Sequence, residues 1–335
     1  MRGTERPYQA PTTRGGLTTM TTSMPSRPMV IVGVDGSEDG RHALHWAAGE
    51  AARRGQPLHV MHAVDFPDRP LGPTTASEPD TMVGLDEARR IVADALADAG
   101  RTWPNVDVSG AWIVGPPWAV LTRAATESDL IVIGTHGRGH HWSVRMGSVA
   151  ADVAHKATCP VVVVRTSRRR LSPEHPRGIV LGVDGSETSL TATRFAFAAA
   201  SARQLPLTVV HAVWDPGSGS PVVYPREPTA SSPSLNGAES PDIDDTIAGG
   251  REDYPDVGVV TRYENGRPAQ VLADLSAGAD LLVLGAHGQG TTGGPLLGSV
   301  SRNALQLAPC PVAVVRGSAQ PDQSVAAPTA QSAGG

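Results

Sequence analysis

Short apolar runs alternate with amphipathic stretches along this chain, and the order of the alternation is the same in its two halves. In the first half the pattern predicts strands over 29–34, 57–64, 106–113, 130–135 and 160–165. Helices are predicted over 38–54, about 82–99, 117–126 and 147–157. In the second half strands are expected over 178–183, 206–213, 257–263, 280–285 and 311–315. The helices there fall over 187–203, 267–277 and 299–307, with a less marked one near 239–250. Runs such as Leu130-Ile131-Val132-Ile133, apolar at every position, suit strands covered on both faces. The first helix of each half carries an apolar stripe at helical spacing: Ala43, Trp46, Ala47 and Ala51, matched by Ala192, Phe195, Ala196 and Ala200. That stripe makes Trp46 and Phe195 core-packing residues rather than stacking platforms for a base. Strands alternating with helices predict an α/β class, with parallel sheets, right-handed crossovers and helices on both faces.

The halves match in residues as well as in pattern. The run from Val30 through Gly33-Val34-Asp35-Gly36-Ser37-Glu38 returns as Ile179 through Gly182-Val183-Asp184-Gly185-Ser186-Glu187. His62-Ala63-Val64 returns as His211-Ala212-Val213, and the strand from Cys159-Pro160 to Arg165 returns as Cys310-Pro311 to Arg316. The offset is 149 residues early in the repeat and 151 later, so the halves differ in length by two residues. This is a duplicated domain. A prior of about 150 residues per domain puts roughly two domains in 335 residues.

Each half also carries a glycine-spaced loop after an apolar run. The first reads Gly134-Thr135-His136-Gly137, nine residues, then Gly147-Ser148; the second reads Gly285-Ala286-His287-Gly288, nine residues, then Gly298-Ser299. A strand, a glycine-rich turn and a helix start together make an anion site, because the first N–H groups of a helix lack intrahelical partners. Two copies with identical internal spacing are a far stronger signal than one. The cation supply differs between them. The first loop holds Arg138, His140, His141 and Arg145; the second holds Gln289, Thr291 and Thr292.

Composition narrows the function. A net charge of −5 argues against a general nucleic-acid binder, and no run is long and apolar enough to span a bilayer. Residues 1–28 lack the apolar segment of a signal peptide, so a cytoplasmic location is expected. Lys156 is the only lysine, which leaves neither loop with the lysine that a Walker-type phosphate loop requires. Cys159 and Cys310 occupy equivalent positions before apolar strands and read as small buried residues. His42 and His45 have no counterparts in the second half, and no Cys/His spacing supplies four zinc ligands, so no metal site is expected. No nucleophile–base arrangement recurs in both halves. Residues 1–27, the connector 167–177, the Pro-, Ser- and Gly-rich stretch 215–240 and the tail 317–335 read as irregular or disordered segments.

The strand ending Gly-Val-Asp-Gly-Ser, followed by Gly-x2-Gly-x9-Gly-Ser, resembles the universal stress protein family, specifically its tandem-domain, ATP-binding branch. The resemblance covers nearly all of the patterned chain, with domains at 28–166 and 178–316. It implies two tandem Rossmann-like (adenine nucleotide alpha hydrolase-like) domains, each a five-stranded parallel sheet in the order 3-2-1-4-5. Ligands of such sheets bind beyond the strand carboxyl ends at the switch between strands 1 and 4. By motif, Gly33, Val34 and Asp35, with Gly182, Val183 and Asp184, are expected on the adenine–ribose side, and Val64 and Val213 as the adenine wall. Gly134, Thr135, His136, Gly137, Arg138, Gly139, Gly147, Ser148 and Val149 are expected around ribose and phosphates. Gly285, Ala286, His287, Gly288, Gln289, Gly290, Gly298, Ser299 and Val300 match them. The loop glycines are expected to permit close approach and to adopt φ > 0. His136 and His287 are expected to shape the pocket.

The implied function is ATP binding, with or without Mg2+, one nucleotide per domain, in a regulatory or signalling role under stress. A slow ATPase or nucleotidyl-transferring enzyme is the alternative. The resemblance also implies that the edge strands at 161–164 and 312–315 pair within one chain about a pseudo-two-fold axis, sparing two exposed sheet edges. A homodimer of whole chains and a protein partner of unknown identity stay open. No nucleic-acid or membrane partner is expected.

Overall fold

Ser37 and Ser186 each end a strand-to-helix turn by capping the helix that follows. The Ser37 hydroxyl accepts from the Gly40 N–H at 3.0 Å, and Ser186 accepts from Ser189 N–H at 3.3 Å. Asp35 and Asp184 close the turn by accepting from the N–H of Ser37 and Ser186, both at 3.0 Å. Gly36 and Gly185 sit between them at φ of 79° and 77°, a left-handed conformation that glycine adopts without steric cost. At the far end of each helix a left-handed residue caps the last turn. It is Gly55 in the first half and Gln204 in the second.

The computed structural model describes residues 27–65, 79–127, 129–137, 146–165, 177–213, 243–288 and 297–316. The expected irregular segments at both termini (apart from Arg27), most of the connector and the 215–240 stretch lie outside them, as do Arg138, Gly139, Gln289 and Gly290. The first half runs β1 (Val30–Gly33), α1 (Glu38–Arg54), β2 (Leu58–Val64), α2 (Pro79–Thr102), β3 (Val108–Val114), α3 (Pro117–Ala124), β4 (Leu130–Gly134), α4 (Ser148–Lys156) and β5 (Val161–Val164). The second half repeats it: β6 (Ile179–Gly182), α5 (Glu187–Arg203), β7 (Leu207–Val213), α6 (Ile243–Asp253), β8 (Val259–Asn265), α7 (Pro268–Leu275), β9 (Leu281–Gly285), α8 (Ser299–Leu307) and β10 (Val312–Val315).

All ten strands form one sheet in the order β3-β2-β1-β4-β5-β10-β9-β6-β7-β8. Pairing within each half is parallel and follows 3-2-1-4-5. Among the described residues the single antiparallel pair is the seam between halves, where Val161, Val162 and Val163 of β5 face Val314, Ala313 and Val312 of β10. The halves therefore join edge to edge, as the resemblance implies. One apolar core, including Val32, Leu58, Leu130 and Val162 from the first half, runs on through Ala313, Val283, Leu181 and Phe197 of the second. The core on the opposite face likewise runs from Ile31, Leu121 and Val163 to Val312, Leu282 and Leu272. Both cores are continuous across the seam.

Polar contacts reinforce that seam on both faces. From the ends of β5 and β10, Arg165 donates to the Leu305 carbonyl at 3.0 Å, and Arg316 donates to the carbonyls of Ala154 and His155. Each arginine thus caps the C-terminus of the other half's helix, where carbonyls lack intrahelical donors. On the other face, Arg203 of α5 meets Glu50 of α1 at 2.6 Å, with only 5% and 2% of their side chains exposed. Arg54 also grips Glu50, at 2.7 Å. The guanidinium of Arg203 lies over the Trp46 ring and that of Arg54 over Phe195, so both stripe aromatics pack against the other half's arginine.

The two cysteines are buried in the second core. Burial, with Asp129 adding to it, pushes the Cys159 thiol up to about 12, and burial pushes the Cys310 thiol up to about 11. Thiolate is the reactive form. A disulfide-exchange reagent such as Ellman's is therefore expected to leave both thiols unmodified in the native chain and to titrate both after denaturation. Rapid modification of either in the folded protein would contradict their burial.

Candidate functional site

At the carboxyl ends of β1 and β4 the chain turns away in opposite directions, and a cavity of about 220 Å³ opens between the two turns. A second cavity of about 200 Å³ lies at the same place beside β6 and β9. Each is built from the turn after the first strand, the glycine loop after the fourth, and the N-termini of two helices.

The lining of the first cavity includes Asp35 and the start of α4. Gly147 caps that helix with extended backbone and no side-chain acceptor, so the N–H groups of its first turn, at Ser148, Val149 and Ala150, border the cavity. Gly298 and Ser299 do the same for α8. Aligned peptide dipoles place partial positive charge at a helix start, where an anion is stabilised. The lining thus brings together groups of both signs, a carboxylate and a helix start. The lining also has an apolar part: Met61, Ala63, Pro117, Leu121 and Ile133 in the first cavity, and Val210, Ala212, Pro268, Leu272 and Leu284 in the second.

Histidines fix the strand ends. The Nδ1 atoms of His62 and His211 lie 2.7 and 2.9 Å from the carbonyl oxygens of Val34 and Val183. A carbonyl only accepts, so Nδ1 carries the proton in both rings. These bonds hold the second strand to the residue just before each aspartate.

Most of the expected site residues in the described part converge on the cavities. Gly33, Val34, Asp35, Gly134, Thr135, His136, Gly137, Gly147, Ser148 and Val149 line the first. Gly182, Val183, Asp184, Gly285, His287, Gly288, Gly298, Ser299 and Val300 line the second. Val64 and Val213 are not in the lining; Ala63 and Ala212, one position earlier, are. Neighbouring strand residues point to opposite faces, so a one-residue shift changes which side chain meets the cavity. Ala286 lies outside the second lining, buried in the core. Thr135 borders the first, but its hydroxyl is donated to the Val164 carbonyl at 2.9 Å.

The glycines are required for a different reason from the expected one. None of Gly134, Gly137, Gly147, Gly285, Gly288 or Gly298 has φ in the left-handed range. Crowding excludes a side chain instead. A Cβ on Gly134 would stand 2.8 Å from the Asp39 backbone, and one on Gly137 would stand 2.7 Å from Asp35 Oδ2. A Cβ on Gly288 would likewise collide with Asp184 Oδ2.

Sequence reasoning missed the apolar lining and two further contacts. In the first half the loop is pinned to α1 by Asp39, which accepts from the His136 N–H at 3.0 Å. In the second, Thr188 pins it by donating to the His287 carbonyl at 2.5 Å. Among the described residues no group of three or more His, Cys, Asp or Glu is placed to hold a metal ion. Among those same residues no helix is long and apolar enough to cross a membrane.

The family model described as "Universal stress protein family" matches residues 28–165 and again 176–316. The chain is 34% identical over 290 residues to universal stress protein Rv2005c of Mycobacterium tuberculosis, covering 86% of this chain and 96% of that protein. It is 32% identical over 294 residues to a universal stress protein of Mycolicibacterium smegmatis, with the same coverage. Among solved structures, a universal stress protein from Archaeoglobus fulgidus superposes with a TM-score of 0.60 at 17% identity. That match covers 86% of this chain and 96% of the archaeal one, and shows the shared fold. The duplicated Rossmann-like sheet, the aspartate-bearing turns and the paired glycine loops place this chain in the universal stress protein family, as a protein with two such domains in tandem.

Proposed function

We propose that this chain binds ATP in both cavities, one nucleotide in each of the domains at 28–166 and 178–316, and that occupancy serves regulation under stress rather than catalysis. The observation that carries the reading is the combination of groups lining each cavity. The lining of each cavity supplies a carboxylate to accept from a nucleoside, uncapped helix N–H groups to meet phosphates, and apolar side chains for the base. Any Mg2+ in the site would be carried by the nucleotide's phosphates.

Phosphoryl transfer needs a positioned base and a charge clamp beside the transferred group. Neither cavity's described lining holds a lysine or an arginine. Asp35 and Asp184 are tied into their turns by the N–H groups of Ser37 and Ser186. Turnover is therefore expected to be slow or absent.

The test is to release and identify the ligand from gently purified full-length chain by mass spectrometry, then to titrate the emptied protein with ATP by calorimetry. Two sites per chain are expected. Absence of any adenine nucleotide binding would overturn the reading. Hydrolysis at the roughly 10 per second typical of enzymes would replace regulation with an ATPase.

A further inference from the structure

The two strands at the seam are followed by Arg165 and Arg316, and both guanidiniums reach across it. Arg316 donates to the carbonyls of Ala154 and His155 in the last turn of α4. Arg165 donates to the Leu305 carbonyl in the last turn of α8, at 3.0 Å. No intrahelical donor reaches these carbonyls, and a guanidinium keeps its charge in a protein. α4 and α8 are also the helices whose starts, at Ser148 and Ser299, line the cavities. Each has nine residues, which makes about 13 Å of helix. One helix thus presents N–H groups to its own half's cavity and holds the other half's cation at its far end. The competing cations there are weak. Lys156 is 38% exposed and paired with Asp152 at 2.8 Å. Burial, with Arg316 and Arg302 adding to it, holds His155 below its ordinary value, so it is largely neutral at pH 7. The last turn of α8 has no basic residue of its own.

Resting on the reading of both cavities as nucleotide sites, we propose that Arg165 and Arg316 are positioning residues that act in trans. Each strengthens phosphate binding in the other half's cavity, through the helix it caps. Two physical effects combine. A helix this short is marginal by itself, so fixing its last turn helps to keep the first-turn N–H groups aligned. The cation also offsets the negative pole of the helix, which leaves the start more positive toward an anion. At about 20 Å and an effective dielectric constant of about 20, one such charge is worth roughly fourfold in the affinity of a singly charged anion. Neither half then holds a complete phosphate site, and the seam belongs to both.

ATP and adenosine are titrated by calorimetry into full-length variants in which one cavity is blocked. Gly288→Val leaves the first cavity to be read, and Gly137→Val leaves the second. Adding Arg316→Ala is expected to weaken ATP in the first cavity by about three- to tenfold, and to weaken it less in the second. Arg165→Ala is expected to weaken ATP in the second cavity by a similar factor. Arg165 is also attracted by the Asp39 carboxylate, which pins the first loop, so its removal reaches the first cavity too. Arg316 therefore gives the decisive comparison. Adenosine carries no phosphate, and its affinity for the first cavity should not change with Arg316→Ala. A role confined to holding the fold together would weaken adenosine along with ATP.

Arg316→Lys keeps the charge and should retain most of the ATP affinity of the first cavity. Should Arg316→Ala not fold, Arg316→Gln replaces it, since it keeps a donor for the carbonyls and removes the charge. It is expected to lose ATP affinity in the same cavity. With Arg316 changed, a loss confined to the second cavity, an equal loss in both, or an equal loss for adenosine and ATP overturns the proposal. If wild-type protein binds no nucleotide at all, the parent reading falls and takes this one with it. Two ATP sites that are indifferent to both arginines would overturn this inference while leaving the parent reading intact.

Discussion

Glu50→Ala is expected to destabilise the native chain by about 3–5 kcal/mol, the cost of leaving buried guanidinium groups without their counter-charge. Glu50 and Arg203 are almost wholly buried, and Arg54 shares the same carboxylate. Burial alone would raise the Glu50 carboxyl, but Arg54, Arg203 and Arg53 together outweigh it and hold it below the ordinary 4.5. A depressed folded-state value means that the carboxylate contributes stability fully above the unfolded value. The contribution disappears as pH falls through the lower folded value. Chemical denaturation of wild type and Glu50→Gln should therefore show a gap that narrows on acidification below about pH 4.5. Replacing Glu50 and Arg203 together with apolar residues should cost less than Glu50→Ala alone, because no charge is then stranded. A Glu50→Ala chain within about 1 kcal/mol of wild type would show that the cluster is wet and contributes little.

The second large effect concerns the ligand. At a hundredfold excess over its dissociation constant, ATP should stabilise each occupied site by about 2.7 kcal/mol. Gly137→Val and Gly288→Val are each expected to abolish one of these contributions, and the double variant to abolish both. The reason is contact: either side chain collides with the carboxylate of Asp35 or Asp184 and pushes into the cavity. Gly100→Ala serves as the control, since a Cβ there meets nothing within 4 Å. A double variant that is folded and still shows the full ATP-dependent shift would show that the ligand binds elsewhere.

Much of this architecture is legible in the sequence, because fully apolar runs bounded by glycine and proline mark buried parallel strands. α1, α5 and α8 have the bounds that periodicity and capping residues predict. α2 starts earlier than predicted, at Pro79, and proline at a first helical position was the available signal. α6 ends later than expected, at Asp253, where glycines at 249 and 250 obscure the helical pattern. The glycine loops and the aspartates could be located because backbone crowding and turn chemistry restrict residue type locally. The apolar lining could not. Met61, Leu121 and Ile133 look like any core residue until the sheet shows that the strand ends open onto a cavity. Glu50 did leave a trace, being a charge three residues beyond Ala47 on the apolar stripe of α1. Its partner on a helix of the other half lies 153 residues away, beyond the reach of any local pattern.

Joining two copies in one chain also releases them from symmetry. Identical subunits about a two-fold axis must present the same residue twice at every pair of equivalent positions. Here the position equivalent to Glu50 is Ala199, and Arg54 is equivalent to Arg203. One carboxylate therefore sits between two matched guanidiniums, an arrangement that identical subunits could offer only as two glutamates or none. The antiparallel β5–β10 seam keeps the geometry of a dimer, while each half is free to drift in composition. Divergence at Gly40 and Ser189, and at Asp39 and Thr188, is available to this fused chain and closed to any assembly of like subunits.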